Sequence, residues 1–556
     1  MFPALLTNLG LVAFYGDEAI RALVALEMQI SGNLVTPTMF GELYYNKPPL
    51  YNWILLAVFE LTGRNDEFIC RLVTVFFLLV YAGSVFYFFR KLYNADPAVT
   101  SFPQPPPVRE GAAAHESHEK EPTNLLPRRE SGGGKHSALI ALYSALALIT
   151  CGRILFWDSM LGLIDMCFSW VMFLLFMVIY TNGEKQAFGK LFAWAYFLAA
   201  IGYLLKGLPA VAFLGITLLT YFIWQKKTRL LFSRMHVAGG LIFIFFVGGY
   251  YFLYAQENSL SEILETVFHE SAKRTFVEYG IGKTLLHLAT FPFEMWYHFL
   301  PWTLLFICFL QKNILEKITE NKFITWNLLV FTTTILPYWS SVEVYPRYLL
   351  MHVPLIFSAL FYIYLKNKKE NGWQAKTVEI IFLCAICLTI VLVLIPIKWE
   401  AAKSISFLVL KSTGPAITLA FLAYLFWKWK HQRMLVLALV LLTVRLAFDF
   451  FILPTRINVE CSTEVRRTTQ EAVDFAGETP VYIYKGSLGF QPLTGYYFTR
   501  KTGKILEITG QDEIGDSYYL VHPGNYNARI FKKHKTVKIN WKCSDLWLMG
   551  KRSAPK

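Results

Sequence analysis

Apolar runs recur along this chain from its first residues to about residue 454, with short polar turns between them. Roughly thirteen runs come near the ~20 residues that the hydrocarbon core of a bilayer requires. They lie near 1–14, 67–90, 137–152, 163–180, 190–205, 207–224, 237–255, 291–310, 323–340, 348–365, 378–396, 405–427 and 434–453. The pattern predicts an all-α polytopic membrane domain over residues 1–454. The first run is too short for a full span. It also lacks the basic start and small-residue cleavage site of a secretory signal.

The turns carry charge unevenly. "RK" at 90–91, "EKQAFGK" at 184–190, "QKKTR" at 225–229, "QKNILEK" at 311–317, "LKNKKE" at 365–370 and "WKWKHQR" at 427–433 fall on one side if the spans alternate. The positive-inside rule makes that side cytoplasmic. Segments 15–66, 153–162, 256–290, 341–347 and everything after 454 then face outward.

Two segments break the membrane pattern. Residues 95–136 contain "PQPPPVREG", "HESHEKE" and "SGGGK". A stretch so rich in Pro, Gly and charge cannot bury enough surface to fold, which predicts a disordered cytoplasmic loop. Its histidines read as part of a solvated linker. Residues 455–556 form a small extracytoplasmic α/β domain. "TPVYIYK", "SYYLVH" and "DLWLMG" predict short strands, and "STEVRRTTQEAVDFAG" predicts a helix ending at Gly477. Cys461 and Cys543 lie near the two ends of this domain, on the oxidising side, where pairing with each other and two free thiols are both open.

Composition agrees with the hydropathy pattern. The chain has 556 residues, of which 55% are hydrophobic and 17% charged, against about 25% charged in soluble domains. The net charge of +14 is therefore not read as a nucleic-acid footprint, and membrane lipids are the expected surroundings.

Candidate chemistry gathers in the outward segments. Asp17 and Glu18 follow the first apolar run directly. Residues 18–30 then have helical character, with Ile20, Leu23, Val24 and Met28 on one side and Glu18, Arg21 and Gln29 on the other, although Glu27 falls on the apolar side. Such a helix is expected to lie along the membrane surface. Asp17 suits its N-cap. "YYNKPPLYNW" follows, where Pro48 and Pro49 forbid a regular helix beside Lys47, and Tyr44, Tyr45, Tyr51 and Trp53 suit the headgroup layer. Further charges reach the same face: Arg153, Asp158 and Asp165 in "GRILFWDSMLGLID", and Lys206 in "LLKGLP". His269, Glu270, Lys273 and Arg274 follow in "VFHESAKRTF", then Glu343, Tyr345, Arg347 and Tyr348 in "SSVEVYPRYLLMHVP". Cations beside acids point to a site for an anionic headgroup, with carboxylates available for proton or metal work.

Residues 16–71, from "GDEAIRAL" through "SGNLVTP" and "YYNKPP" to Arg71, resemble the first-loop signature of membrane glycosyltransferases that use polyprenyl-phosphate sugars. These are the bacterial aminoarabinose transferases and the protein O-mannosyltransferases. "LLKGLPA", the His269…Arg274 pair and "YPRYLLMHVP" resemble the same family's later motifs. The resemblance implies the type-C glycosyltransferase fold and a sugar donor on undecaprenyl phosphate. The acceptor is a lipid such as lipid A, or alternatively a protein hydroxyl, and transfer inverts the anomeric configuration. It implies the bacterial inner membrane, with the site facing the periplasm. A flippase is the non-enzymatic alternative, which internal repeats and midplane charges would favour. Asp17 matches the catalytic carboxylate, with Glu18 its neighbour and Asp158 a second acid. Lys47 and Arg274 match the donor-phosphate positions, and Arg347 is a third candidate. Tyr45, Lys206, His269, Tyr345 and Tyr348 match other site positions. No cofactor is required. The family's zinc would use His269, but its usual Glu partner is replaced here by Asn46, and an amide is a poor zinc ligand.

Overall fold

The computed structural model describes residues 1–94, 132–263, 265–266, 280–457, 459–489, 491–509, 516–527, 530–539 and 543–551. Most of the expected disordered loop therefore lies outside the described residues. Its last residues, 132–136, are helical and open the helix Gly132–Thr150.

Among the described residues, eight helices are long and apolar enough to cross a membrane: Glu67–Tyr93, His136–Phe156, Asp165–Glu184, Phe188–Lys206, Arg234–Tyr254, Trp373–Lys398, Leu408–Lys428 and Arg433–Ile457. The other expected spans are shorter or interrupted. The run near 1–14 holds only the short helix Phe2–Leu6. The run near 207–224 is the 16-residue helix Pro209–Trp224. The run near 291–310 is split between the helix Ile281–His298 and a 3-10 stretch, Trp302–Phe309. Hydropathy windows count apolar residues and do not see where a helix stops.

Burial ranks the helices. In Asp165–Glu184, 72% of the apolar window is buried inside the protein, against 22% in Trp373–Lys398. The first is a central helix, while the second presents its apolar surface outward, as a lipid-facing span must. Close crossings use small residues. At Gly202 an added Cβ would lie 2.5 Å from Met172 and 2.9 Å from Ala210, so Gly lets three neighbouring helices meet there. A fully buried pair, Arg445 and Asp449 (Nε to Oδ1, 2.7 Å), reaches sideways from the last span. Arg445 also donates to the Leu155 carbonyl and, at 3.1 Å, to Ser159 Oγ. This fixes the outer turn that carries Asp158.

The helix Glu18–Ser31 does not lie open on a membrane surface. It is buried continuously from Glu18 to Met28. Helix Leu50–Thr62 packs on one side and Pro492–Thr502, from the C-terminal domain, on the other. Its polar side is covered by protein: Arg21 Nη2 donates to Tyr44 Oη at 2.9 Å. Tyr44 and Tyr51, expected in the headgroup layer, are buried too. Glu27, out of place on the wheel, accepts from Thr38 Oγ1 and from the backbone N–H groups of Phe40 and Gly41. It thereby holds the turn of a small antiparallel hairpin, Thr38–Met39 with Glu42–Leu43. Phe40 and Gly41 both have positive φ (60° and 75°), as a two-residue hairpin turn requires.

The C-terminal domain begins after Ile457, where the last membrane helix ends, rather than at 455. Its sheet has the spatial order Ile508–Thr509, Val481–Tyr484, Tyr518–Val521, Ser544–Lys551, Phe531–Ile539. The first three strands are parallel and the last two antiparallel. The helices Cys461–Ala476 and Pro492–Thr502 pack together beside it. Cys461 and Cys543 are joined by a disulfide, one of the two arrangements their position left open. The domain is anchored on the membrane part through Glu67, which takes Tyr497 Oη at 2.6 Å and Arg466 Nη1 at 3.2 Å.

Candidate active site

Antiparallel neighbours bring their ends together. Asp165 begins one span, and Lys206 ends the next. The two meet at the same end of the bundle, Lys206 Nζ lying 2.5 Å from Asp165 Oδ1. Arg347, in the 3-10 turn Pro346–Leu349, reaches the same carboxylate from the other side, Nε to Oδ2, at 3.5 Å. Its Nη2 donates to Asp17 Oδ2 at 2.7 Å. Four charges of alternating sign therefore run in a line: Asp17, Arg347, Asp165, Lys206. Burial would make Asp165 or Lys206 costly alone, and pairing offsets that cost.

Aromatic rings wall this line. Lys206 Nζ sits 4.0 Å from the centre of the Tyr348 ring. The Arg347 guanidinium lies 4.6 Å from the Tyr345 ring and 5.6 Å from that of Tyr348. These are cation–π distances, and they hold both cations in place.

Asp17 occupies the N-cap position of helix Glu18–Ser31, but its side chain makes no capping bond. It turns to Arg347 instead, and half of it (51%) is exposed. Glu18, grouped with the catalytic Asp17 as its neighbour, is enclosed. Arg71 grips it through Nε and Nη2 at 2.9 and 3.1 Å. The backbone N–H groups of Tyr15 and Gly162 complete its shell. Arg71 also donates to the carbonyls of Leu9, Val12 and Ala13. Glu18 and Arg71 thus form the bolt that fixes the N-terminal segment, with no face of Glu18 left for a substrate.

Asp158 pairs with Arg153 (Nε to Oδ2, 3.1 Å) in the outer turn before Asp165. Burial lifts its carboxyl to about 6, with the guanidinium opposing the rise. Arg347 is also buried, which lowers its affinity for the proton, but Asp165 and Asp17 outweigh this and keep it charged.

Two cavities flank the charge line. The first, of about 260 Å³, is lined by Tyr45, Asn46, Lys47, Tyr203, Lys206 and Tyr254, among others. Lys47 and Lys206 line it together. Tyr45 Oη donates to Glu262 across this cavity's rim. The second, of about 390 Å³, is lined by Tyr15, Gly16 and Asp17 on one side and by Glu460, Ser462, Gln491 and Leu493 of the C-terminal domain on the other. The charge line joins them, with Lys206 in the first and Asp17 in the second.

Sequence reading named Asp17, Lys47, Asp158, Lys206 and Arg347, and the structure brings these together with Tyr45, Tyr345 and Tyr348. His269 and Arg274 lie outside the described residues. Asp165, the hub of the line, carried one signal in the sequence, an acid at the edge of an apolar span. The C-terminal residues of the second cavity carried none. Among the described residues, no three His, Cys, Asp or Glu side chains converge as metal ligands. Asn46 lines the first cavity, and an amide is a poor zinc ligand, so the residues in view do not fit a zinc site.

No protein-family model matches the chain. An uncharacterized protein of Aquifex aeolicus (strain VF5) is 23% identical over 326 residues, covering 58% of this chain and 55% of the relative. The match thus spans little more than half the length of that curated relative. The crystal structure of ArnT from Cupriavidus metallidurans bound to undecaprenyl phosphate superposes with a TM-score of 0.65 at 14% identity, covering 98% of this chain and 96% of that one. The apo state of the same protein gives 0.64 at 15% identity, with 98% and 95% covered. At such identity it is the architecture that is shared, and on that ground the chain is a polytopic membrane protein with the ArnT type of fold, the type-C glycosyltransferase fold.

Proposed function

We propose that the protein is an integral-membrane glycosyltransferase that moves a sugar from undecaprenyl phosphate to an envelope acceptor. Transfer takes place on the periplasmic face of the bacterial inner membrane. The observation that carries this reading is the charge line from Lys206 to Asp17, which links a cavity with two lysines to a cavity with a half-exposed carboxylate. A solved relative in fold holds undecaprenyl phosphate, which supports the choice of donor class.

In this reading the donor phosphate occupies the first cavity near Lys47 and Lys206, and the resemblance assigns Arg274 to the same phosphate. As the bond from the anomeric carbon to the phosphate oxygen breaks, negative charge grows on the leaving phosphate. Fixed cations stabilise it there more than in the ground state. Asp17, held by Arg347 at Oδ2, presents Oδ1 to the acceptor and takes its proton. Attack from the face opposite the phosphate inverts configuration. Asp158 fixes Arg153 at the mouth of the site. Tyr45, Tyr345 and Tyr348 wall in the donor and its cations. Glu18 serves the fold. No step runs through a metal: Asn46 would bind zinc poorly, and the lysines meet the charge that a metal would otherwise meet. A hydroxyl of a lipid or of a protein fits this scheme; a phosphate acceptor, as in lipid A, is already ionised, and Asp17 would then act by positioning. A flippase reading is weaker, because the ionisable groups cluster at one end of the spans rather than at their midpoint.

The test uses the purified full-length protein in detergent, with a labelled undecaprenyl-phosphate sugar and an envelope extract. Extract-dependent release of undecaprenyl phosphate is expected, and Asp17→Asn should abolish it. Protein that moves the donor across vesicle membranes without releasing the phosphate would overturn the reading.

A further inference from the structure

The second cavity has a composition of its own. Its described lining holds two carboxylates, Asp17 and Glu460, three neutral polar side chains, Tyr15, Ser462 and Gln491, and no Lys or Arg. The arginines nearby are each matched to an acid: Arg347 to Asp17 at 2.7 Å, Arg456 to Glu460 at 3.5 Å, and Arg153 to Asp158 at 3.1 Å. Three helices begin around it, with Asp17, Glu460 and Gln491 at their N-cap positions, and none of these side chains caps its own helix. Ser462 Oγ is buried and has no hydrogen-bond partner among the described residues.

This is a mixed set. Carboxylates only accept, the amide and hydroxyls do both, and helix starts offer N–H donors. A sugar ring matches such a set, because each of its hydroxyls donates and accepts. A phosphate only accepts, and it would face two carboxylates with no surplus cation. An extended peptide binds best along a sheet edge. The walls here are helix starts, and neither edge strand of the five-stranded sheet, Ile508–Thr509 or Phe531–Ile539, is among the lining residues.

We infer that this cleft between the first outer loop and the C-terminal domain is the acceptor site, and that it takes a saccharide headgroup through a hydroxyl. Gln491, Ser462 and Glu460 read the ring. The inference rests on the glycosyltransferase reading and narrows it. The acceptor oxygen forms the new bond to the anomeric carbon. The bond from that carbon to the phosphate oxygen breaks, its electron pair leaving on undecaprenyl phosphate. The hydroxyl proton passes to Asp17.

The test compares cells with and without the protein, and then variants. Mass analysis of glycolipid, glycan and protein fractions should show a sugar added to a saccharide-bearing fraction through a linkage that survives mild acid. Addition to protein alone, or through an acid-labile glycosyl phosphate, would overturn the inference and leave the transferase reading standing. No addition in any fraction would remove both. With the purified protein, Gln491→Trp and the milder Gln491→Ala should each raise the acceptor KM, the Trp variant by about tenfold or more, with undecaprenyl-phosphate affinity unchanged. Acceptor KM unchanged in both variants would overturn the assignment of Gln491 and of the cleft.

Discussion

Arg347 donates to Asp17 at 2.7 Å and lies 3.5 Å from Asp165, so one guanidinium spans two carboxylates from distant parts of the chain. Asp17 is thereby held in place while half of it remains open. Asp17→Asn keeps the shape and loses the base. Turnover is expected to fall about a thousandfold, with donor affinity and thermal stability unchanged. Steady-state kinetics beside a donor-binding titration would check this, and near-normal turnover would contradict it. Arg347→Lys should also impair turnover, because an ammonium cannot reproduce the forked reach.

Lys206 and Asp165 are both nearly buried. Lys206→Ala leaves Asp165 with the longer contact to Arg347 only. A loss of about 3 kcal/mol is expected, at the low end for breaking a buried pair. Adding Asp165→Asn to Lys206→Met should recover part of it. A double-mutant cycle on unfolding in detergent measures the coupling, and additive losses would contradict the pairing.

Asp158 keeps its proton up to about pH 6, chiefly because it is buried. Its folded-state value lies above its ordinary one of 3.8. The group therefore favours the folded state while protonated, and that contribution is lost as the pH rises through about 6. Asp158→Asn is neutral at every pH. Relative to the parent, it should gain more in melting temperature at pH 8 than at pH 5. Equal differences at the two pH values would argue against the shifted carboxyl.

Glu18 is a fold residue by its contacts, so its loss should behave differently from that of Asp17. Glu18→Ala strands Arg71 and is expected to cost about 3–5 kcal/mol. The protein that still folds should retain its specific activity. Thermal unfolding and activity per folded molecule separate the two effects.

The disulfide from Cys461 to Cys543 closes a segment of 82 residues. Replacing both by Ser should destabilise the C-terminal domain by about 4–5 kcal/mol on the chain-entropy account. Cys461 also lines the second cavity, so the acceptor KM should rise while donor binding persists. Melting curves with and without reductant provide the check.

The membrane domain was legible in the sequence because a bilayer demands long apolar segments, and the chain supplies them. Several span limits were not, since a window cannot tell the helix Ile281–His298 from the 3-10 stretch that follows. The outward charges were also legible as a set. Their pairing was not: Arg347 and Asp17 stand 330 residues apart, and nothing local marks them as partners. Glu18 misled for a related reason. Its acid stood beside Asp17 in the sequence, but Arg71, 53 residues on, claims it. Glu27 looked like a flaw in an amphipathic helix until its hairpin supplied the missing donors. The helix itself looked like a surface helix because nothing local marks the two helices that pack on it, Leu50–Thr62 and Pro492–Thr502, and the second comes from the far end of the chain.

That covering element sets an order of assembly. Gly495 lies so close to Phe40 and Leu23 that an added Cβ would come within 2.3 and 3.0 Å of them. Tyr496 reaches back to the Asn65 carbonyl across 431 residues. A chain is made from its N-terminus, so the loop bearing Asp17 is synthesised early and receives its lid last. Until then Glu67 waits without Tyr497 and Arg466, and one wall of the second cavity does not exist. Every nascent copy therefore passes most of its synthesis with half a site, and a premature stop before Gln491 removes part of that wall along with the tail.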